Sequence, residues 1–304
     1  MRRWSWLWGA LLVVVMLAGA SAQSAGEEGP LKKLIITSIS REGLYHDIFV
    51  TSLINTMEYF NTDKKVPGWR ATYAFINDIT DIARARNYAL KILMDNKEAA
   101  ALLMIDHDHQ WSPEHVHRFV TSGKDVVGAA YPAKKIKWER VLTLVRRGYS
   151  DQMALLAAHD YEVQLIQGND TDAGPIGPKN SPYEDHKFPR DKQGFVKVRR
   201  IGTGFLLLTR AAVETMIAAY PETKHLDHTG PEVHALFDYA LRRMPGGTVA
   251  RMTEDYLFCD RWRAIGGVVW ADATRGVNHK GYYTYKGENW VWPELDWTPP
   301  MDMP

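Results

Sequence analysis

The chain alternates short apolar runs with amphipathic stretches. Leu34-Ile-Ile-Thr-Ser-Ile39 is rich in β-branched residues and closes on polar Ser40-Arg41-Glu42, which predicts a strand. Asp47 to Phe60 carries Ile48, Phe49, Leu53, Met57 and Phe60 close to helical spacing. Arg70 to Ile76 reads as a second strand closed by Asn77-Asp78, and Ile82 to Met94 as a helix. Ala99-Ala-Ala-Leu-Leu-Met-Ile105 is apolar throughout, as expected for a strand covered by helices on both faces. Ser112-Pro113-Glu114 opens a helix, with Ser at the N-cap and Pro in the first turn. Asp125 to Tyr131 is a further strand. Gln167 to Lys197 is rich in Gly, Pro, Asn and Asp and reads as a long loop, either a lid or binding loop that closes over a ligand or a passive, disordered insert. Regular structure resumes over Arg199 to Thr209 and the helix Ala211 to Ala219. A last unit holds a helix from Glu254 to Ile265 capped by Thr253, the turn Gly266-Gly267 and the strand Val268 to Ala271. Repeated units of this size predict an α/β sandwich around a largely parallel central sheet. No repeat or linker divides it, so residues 31–287 form one domain of catalytic size. The Trp- and Pro-rich tail, residues 288–304, is irregular.

The N-terminus has a different pattern. Arg2 and Arg3 precede an apolar stretch from Trp4 to Ala20, and Ala20-Ser21-Ala22 is a small-x-small cleavage pattern. Residues 1–22 therefore read as a secretory signal peptide or, uncleaved, as a signal anchor. The basic flank directs the rest of the chain across the membrane. That implies the secretory pathway, in the endoplasmic reticulum or Golgi lumen, or another extracytoplasmic location. Asn169-Asp-Thr171 is an acceptor for glycosylation there. The body is expected to meet a membrane only through this first segment. Hydrophobic residues make up 45% and charged residues 24% of the 304, which excludes a disordered chain. Lys plus Arg number 37 against 36 Asp plus Glu, so a net charge of +1 gives no general footprint for nucleic acid. The single cysteine, Cys259, excludes a disulfide scaffold and a cysteine zinc site.

The chemistry-bearing residues follow the strands. Ligands of open parallel sheets bind beyond the carboxyl ends of the strands, where Asp106-His107-Asp108 lies. Two carboxylates one residue apart suit Mg²⁺ or Mn²⁺, which in turn holds a diphosphate. A solvated acidic turn has the same sequence. Arg84 and Arg86-Asn87 precede that strand, and Gly202-Thr203-Gly204 precedes another. Glu254-Asp255 heads a helix, and Val277-Asn278-His279-Lys280-Gly281 follows the last strand. This ordered set resembles the GT-A fold glycosyltransferases, particularly family 2-like enzymes, over Leu31 to Gly287. The resemblance implies a hexosyltransferase-like enzyme that moves sugar from a nucleotide-sugar donor to a glycan, protein or lipid hydroxyl. It further implies that Asp106 and Asp108 hold Mn²⁺ or Mg²⁺ and that His279 completes the metal shell. Asp255 or Glu254 would serve as acceptor base. The donor would meet Ser38, Arg41 and Asp78 with its base, and Arg86, Asn87 and Lys280 elsewhere.

The residues support those roles and alternatives to them. Glu254 and Asp255 fall in the first turn of a helix, where the dipole favours ionised carboxylates whether or not they act as bases. Imidazole is a common divalent ligand, and His279 also fits a surface turn. Lys280 can meet phosphate as a point charge. Trp262, within Asp260-Arg261-Trp262-Arg263, reads as core. His107, His109, His115 and His117 make the metal region unusually rich in histidine, a departure from the family pattern. That keeps open a metal-dependent phosphoesterase or hydrolase. A catalytically inactive sugar-binding module, with Trp residues as stacking platforms, is a third class.

Overall fold

A computed structural model describes residues 30–166, 190–244 and 246–287. The signal segment, Asn169-Asp-Thr171, the loop residues Tyr183, His186 and Lys187, and the tail lie outside the described residues. The apolar runs line up as one eight-stranded sheet. Its order is Trp69–Asn77, Lys32–Ser40, Ala99–Ile105, Phe205–Thr209, Val126–Ala129, Val269–Asp272, Phe195–Ile201, Val163–Leu165. Six of the eight strands run the same way, and only Phe205–Thr209 and Phe195–Ile201 are reversed. The expected single-domain α/β sandwich with a largely parallel sheet is the architecture observed.

Two apolar layers explain why the central strands carry no alternation. On one face, the helices Ile82–Asp95, Arg210–Ala219 and Glu254–Ala264 cover the sheet through Leu90, Leu93, Val213, Met216, Phe258 and Trp262. On the other, Asp47–Met57 and Pro113–Thr121 cover it through Phe49, Leu53, Val116 and Phe119. Ala99–Ile105 lies between them with Leu102 and Leu103 both fully buried, so each face of that strand needs apolar side chains. Trp262 is core as expected. Its indole N–H donates to Val268 O at 3.1 Å, and Gly267 is required because a Cβ there would lie 2.1 Å from the ring.

The structure differs from the sequence reading in several places. Arg199 to Thr209 is two strands broken at Gly202-Thr203-Gly204, and two other strands separate them in the sheet. The helices Trp138–Arg146 and Asp151–Leu156 and the strand Val163–Leu165 occupy a region where no element was expected. So do the hairpins Lys224–Leu226 with Glu232–His234 and Ala240–Arg243 with Val249–Met252. Ser112 and Thr253 occupy N-cap positions, but neither side chain caps its helix. The Thr253 hydroxyl instead donates to Asp255 Oδ1 at 2.5 Å.

Candidate functional site

The site begins where the Ala99–Ile105 strand ends. The Asp106 N–H donates to Gly204 O at 2.9 Å, and the His109 N–H returns to Asp106 O at 3.2 Å, closing a tight turn. His107 Nδ1 lies 3.0 Å from Ile39 O, so the residue between the two aspartates pins the turn to the neighbouring strand. His109–Gln110 then pairs antiparallel with Asn278–Lys280, which places His109 directly opposite His279. The Lys280 N–H donates to Asp108 O at 2.7 Å. This short ladder joins residues 170 apart in sequence and stacks the two imidazoles with centroids 4.4 Å apart.

Asp108, His109 and His279 form a group whose candidate ligand atoms all lie within 4.8 Å of one another. Asp108 Oδ1 is 3.3 Å from His109 Nδ1 and 3.4 Å from His279 Nε2. His279 Nδ1 lies 2.8 Å from Pro132 O, a contact in which the nitrogen donates. With Nδ1 so engaged, Nε2 is the nitrogen left facing the Asp108 carboxylate, where a cation would fit between the two. Asp108 Oδ1 and both ring nitrogens of His109 are buried without a hydrogen-bond partner. Such orphaned atoms are costly unless something ligates them. Burial pushes the Asp108 carboxyl up, but His109, His279 and Lys134 outweigh it and hold it far below the usual range. Burial keeps His109 below its ordinary value and so neutral, the state that binds metal. The residues fit a divalent cation. One carboxylate with two imidazoles suits Mn²⁺ and its transition-metal neighbours better than Mg²⁺, which prefers oxygen.

Of the residues expected to hold metal, Asp108 and His279 fall in this group together with His109, and Asp106 is not a member of it. Asp106 turns toward Gly204 and Tyr131. A Cβ on Gly204 would sit 2.7 Å from Tyr131 Cζ and 2.9 Å from Asp106 Oδ2, so the Gly202-Thr203-Gly204 turn needs glycine for close packing. The Gly204 N–H donates to Tyr131 Oη at 3.0 Å. Nearby, Arg86 is buried in an ion pair with Glu254 and also feels Asp106 and Asp255. Burial raises the Glu254 carboxyl, and Arg86 opposes that rise. Asp255 Oδ1 accepts from the Tyr256 N–H at 2.8 Å as well as from Thr253. Burial and Asp255 together raise the Glu162 carboxyl.

Asn87, expected on the donor, and Arg84, which stands in the same sequence motif, are engaged within the chain. Asn87 exchanges two hydrogen bonds with the Phe237 backbone, at 2.8 and 3.0 Å. Arg84 forms a two-bond pair with Asp227, at 2.7 and 2.8 Å. Ser38 is buried with its hydroxyl unpartnered, whereas Arg41 and Asp78 are exposed beyond the strand ends. Sequence reasoning missed His109, Tyr131, Lys134 and Glu162. The histidine string after Asp106 was a signal for His109, but Lys134, Tyr131 and Glu162 stand in no motif. An open cavity of about 530 Å³ flanks the Arg86 helix, lined by Arg84, Asn87, Tyr239 and Arg261 and by none of Asp108, His109 and His279.

No family model and no curated protein matches the chain. Among solved structures it is similar to A197 from STIV, at 14% identity and a TM-score of 0.42, covering 83% of this chain and 86% of that one. It is also similar to a 4-diphosphocytidyl-2C-methyl-D-erythritol synthase from Anaerococcus prevotii DSM 20548, at 14% identity and a TM-score of 0.31, over 66% and 81%. A Bacillus anthracis protein described as a glucose-1-phosphate thymidylyltransferase, in complex with sucrose, gives 12% identity and a TM-score of 0.30 over 61% and 74%.

Proposed function

We propose that this chain is a divalent-metal-dependent glycosyltransferase moving a sugar from a nucleotide-sugar to an acceptor hydroxyl. The observation that carries the reading is the convergence of Asp108, His109 and His279, with orphaned ligand atoms, just beyond the central strand. A divalent cation supplies the positive charge that a departing nucleoside diphosphate needs. The chain's own groups do the rest. Asp255, with one oxygen held by Thr253 and Tyr256, would take the acceptor proton if the anomeric centre inverts. Glu254 is tied to Arg86 and acts by orientation, fixing the helix start that carries Asp255. If the reaction retains configuration, the Glu254-Asp255 pair orients the sugar and no separate base is needed. The proposed setting is the secretory lumen or another extracytoplasmic location, with residues 1–22 as signal peptide or anchor.

The test is a nucleotide-sugar panel with Mn²⁺, scored for nucleoside diphosphate release and for product anomer by NMR. Release by the wild type, lost in Asp108→Asn and in EDTA, is the expected result. Turnover that persists in EDTA, or no release from any donor by protein that binds Mn²⁺, overturns the proposal.

A further inference from the structure

We infer that the outer face of the Trp138–Arg146 helix docks this protein onto an anionic membrane surface. The inner face of this helix is already satisfied. Leu144 is fully buried with Ala154 and Ala157, and Val141, Tyr149 and Met153 pack around them. Trp138, Leu142 and Val145 point away from that cluster, 63%, 54% and 39% exposed. Their i, i+4, i+7 spacing puts them on one stripe of the helix. Single exposed apolar residues are ordinary, but a contiguous stripe that includes Trp marks an interaction surface.

Charge says which surface. Residues 134–147 hold Lys134, Lys135, Lys137, Arg140, Arg146 and Arg147 against Glu139 alone, six bases to one acid. The whole chain is balanced, at 37 to 36. Lys134 pairs with Asp108, and Lys137 and Arg140 pair with Asp160, so the rim's charge rests on Lys135 and Arg146, exposed at the two ends of the stripe. A short helix with an aromatic-aliphatic face and a basic rim lies in the plane of an anionic bilayer, its Trp at headgroup depth. The helix has nine residues, too few to span, and no helix among the described residues is long and apolar enough to cross a membrane. A second aromatic element adjoins it. Tyr282 is fully exposed in the turn after Gly281, which packs beside the Lys134 side chain. His159 ties that region to the helix approach, with Nδ1 3.2 Å from Lys135 O and its ring against Tyr285. Lys134 contacts Asp108, so docking sets the metal cluster close to the lipid surface.

The single cysteine makes the test direct. Cys259 is buried, and burial pushes its thiol up to about 12, so a cysteine introduced at Leu142 is labelled selectively. The full chain carrying Leu142→Cys, labelled with an environment-sensitive dye, is mixed with phosphatidylcholine vesicles with or without phosphatidylglycerol. The expected result is a blue shift, and quenching by spin-labelled lipid, only when phosphatidylglycerol is present. A dye at Ala218→Cys, on the exposed side of the Arg210–Ala219 helix, stays unchanged. Adding Lys135→Glu and Arg146→Glu weakens the dye response at residue 142 by more than roughly tenfold, given about fivefold per basic residue lost. No shift at residue 142, an equal shift with phosphatidylcholine alone, or an equal response at 218 overturns the inference. So does a shift present before lipid is added, which would mean that another segment or a second copy covers the face. The readout is independent of catalysis, so it stands or falls apart from the proposed activity.

Discussion

Arg86 and Glu254 offer the sharpest quantitative test of the candidate site. Both side chains are nearly inaccessible to water, and the pair joins the second turn of one helix to the first residue of another. Replacing Arg86 by Met leaves the Glu254 carboxylate buried without its cation. Keeping it charged costs several kcal/mol, so the variant escapes by taking up a proton. From the ordinary glutamate value of 4.5, protonation at pH 7 costs about 2.5 × 1.36, or about 3.4 kcal/mol. At pH 5.5 the same step costs only about 1.4 kcal/mol. The folded variant then binds more protons than its unfolded state, so its stability falls as pH rises. Urea unfolding of Arg86→Met should therefore show a deficit of about 3 kcal/mol at pH 7, shrinking by more than half at pH 5.5. Arg86→Met with Glu254→Gln should recover most of that deficit, because the buried charge is gone. A single variant as stable as wild type, or a deficit that neither pH nor the second substitution relieves, would refute the buried ion pair.

Two further outcomes follow from other residues. Asp108→Asn, His109→Ala and His279→Ala should each weaken Mn²⁺ binding by more than about tenfold in calorimetry, with Asp106→Asn weakening it less and Mg²⁺ binding poorly to wild type. Equal losses at Asp106 and His109 would return Asp106 to the ligand set. His115 sits among Phe119, Phe205, Asp272, Arg275 and Arg118, with Nε2 3.2 Å from Arg275 O, and burial pushes it down to about 4. Its folded value lies below the unfolded 6.5, so its contribution is full above 6.5 and is lost as pH falls toward 4. Wild type should lose about 2 kcal/mol more than His115→Phe between pH 7.5 and pH 5 in urea titrations, and parallel losses would show that His115 is not the titrating group.

The sequence by itself determined many of the segments that become strands and helices, because burial on one or two faces is written in the local spacing of apolar side chains. Ala99–Ile105 reads as a doubly covered strand without reference to anything else. The strand end also marks Asp108 as chemistry, and the residues after the last strand mark His279. Tertiary structure decided which of those residues meet. Glu254 is 168 positions from Arg86, and its pairing depends on two helix starts arriving at the same end of the sheet. His109 faces His279 only because a two-residue strand pairs in one register, and a shift by one residue would turn either ring away. The reversed strand Phe205–Thr209 is equally silent in sequence, since strand direction in the sheet leaves no mark on apolar periodicity. Trp138–Arg146 was legible in principle, since Trp138, Val141, Leu142, Leu144 and Val145 follow helical spacing. Only the packed structure separates Leu144, turned inward, from Trp138, Leu142 and Val145, turned out.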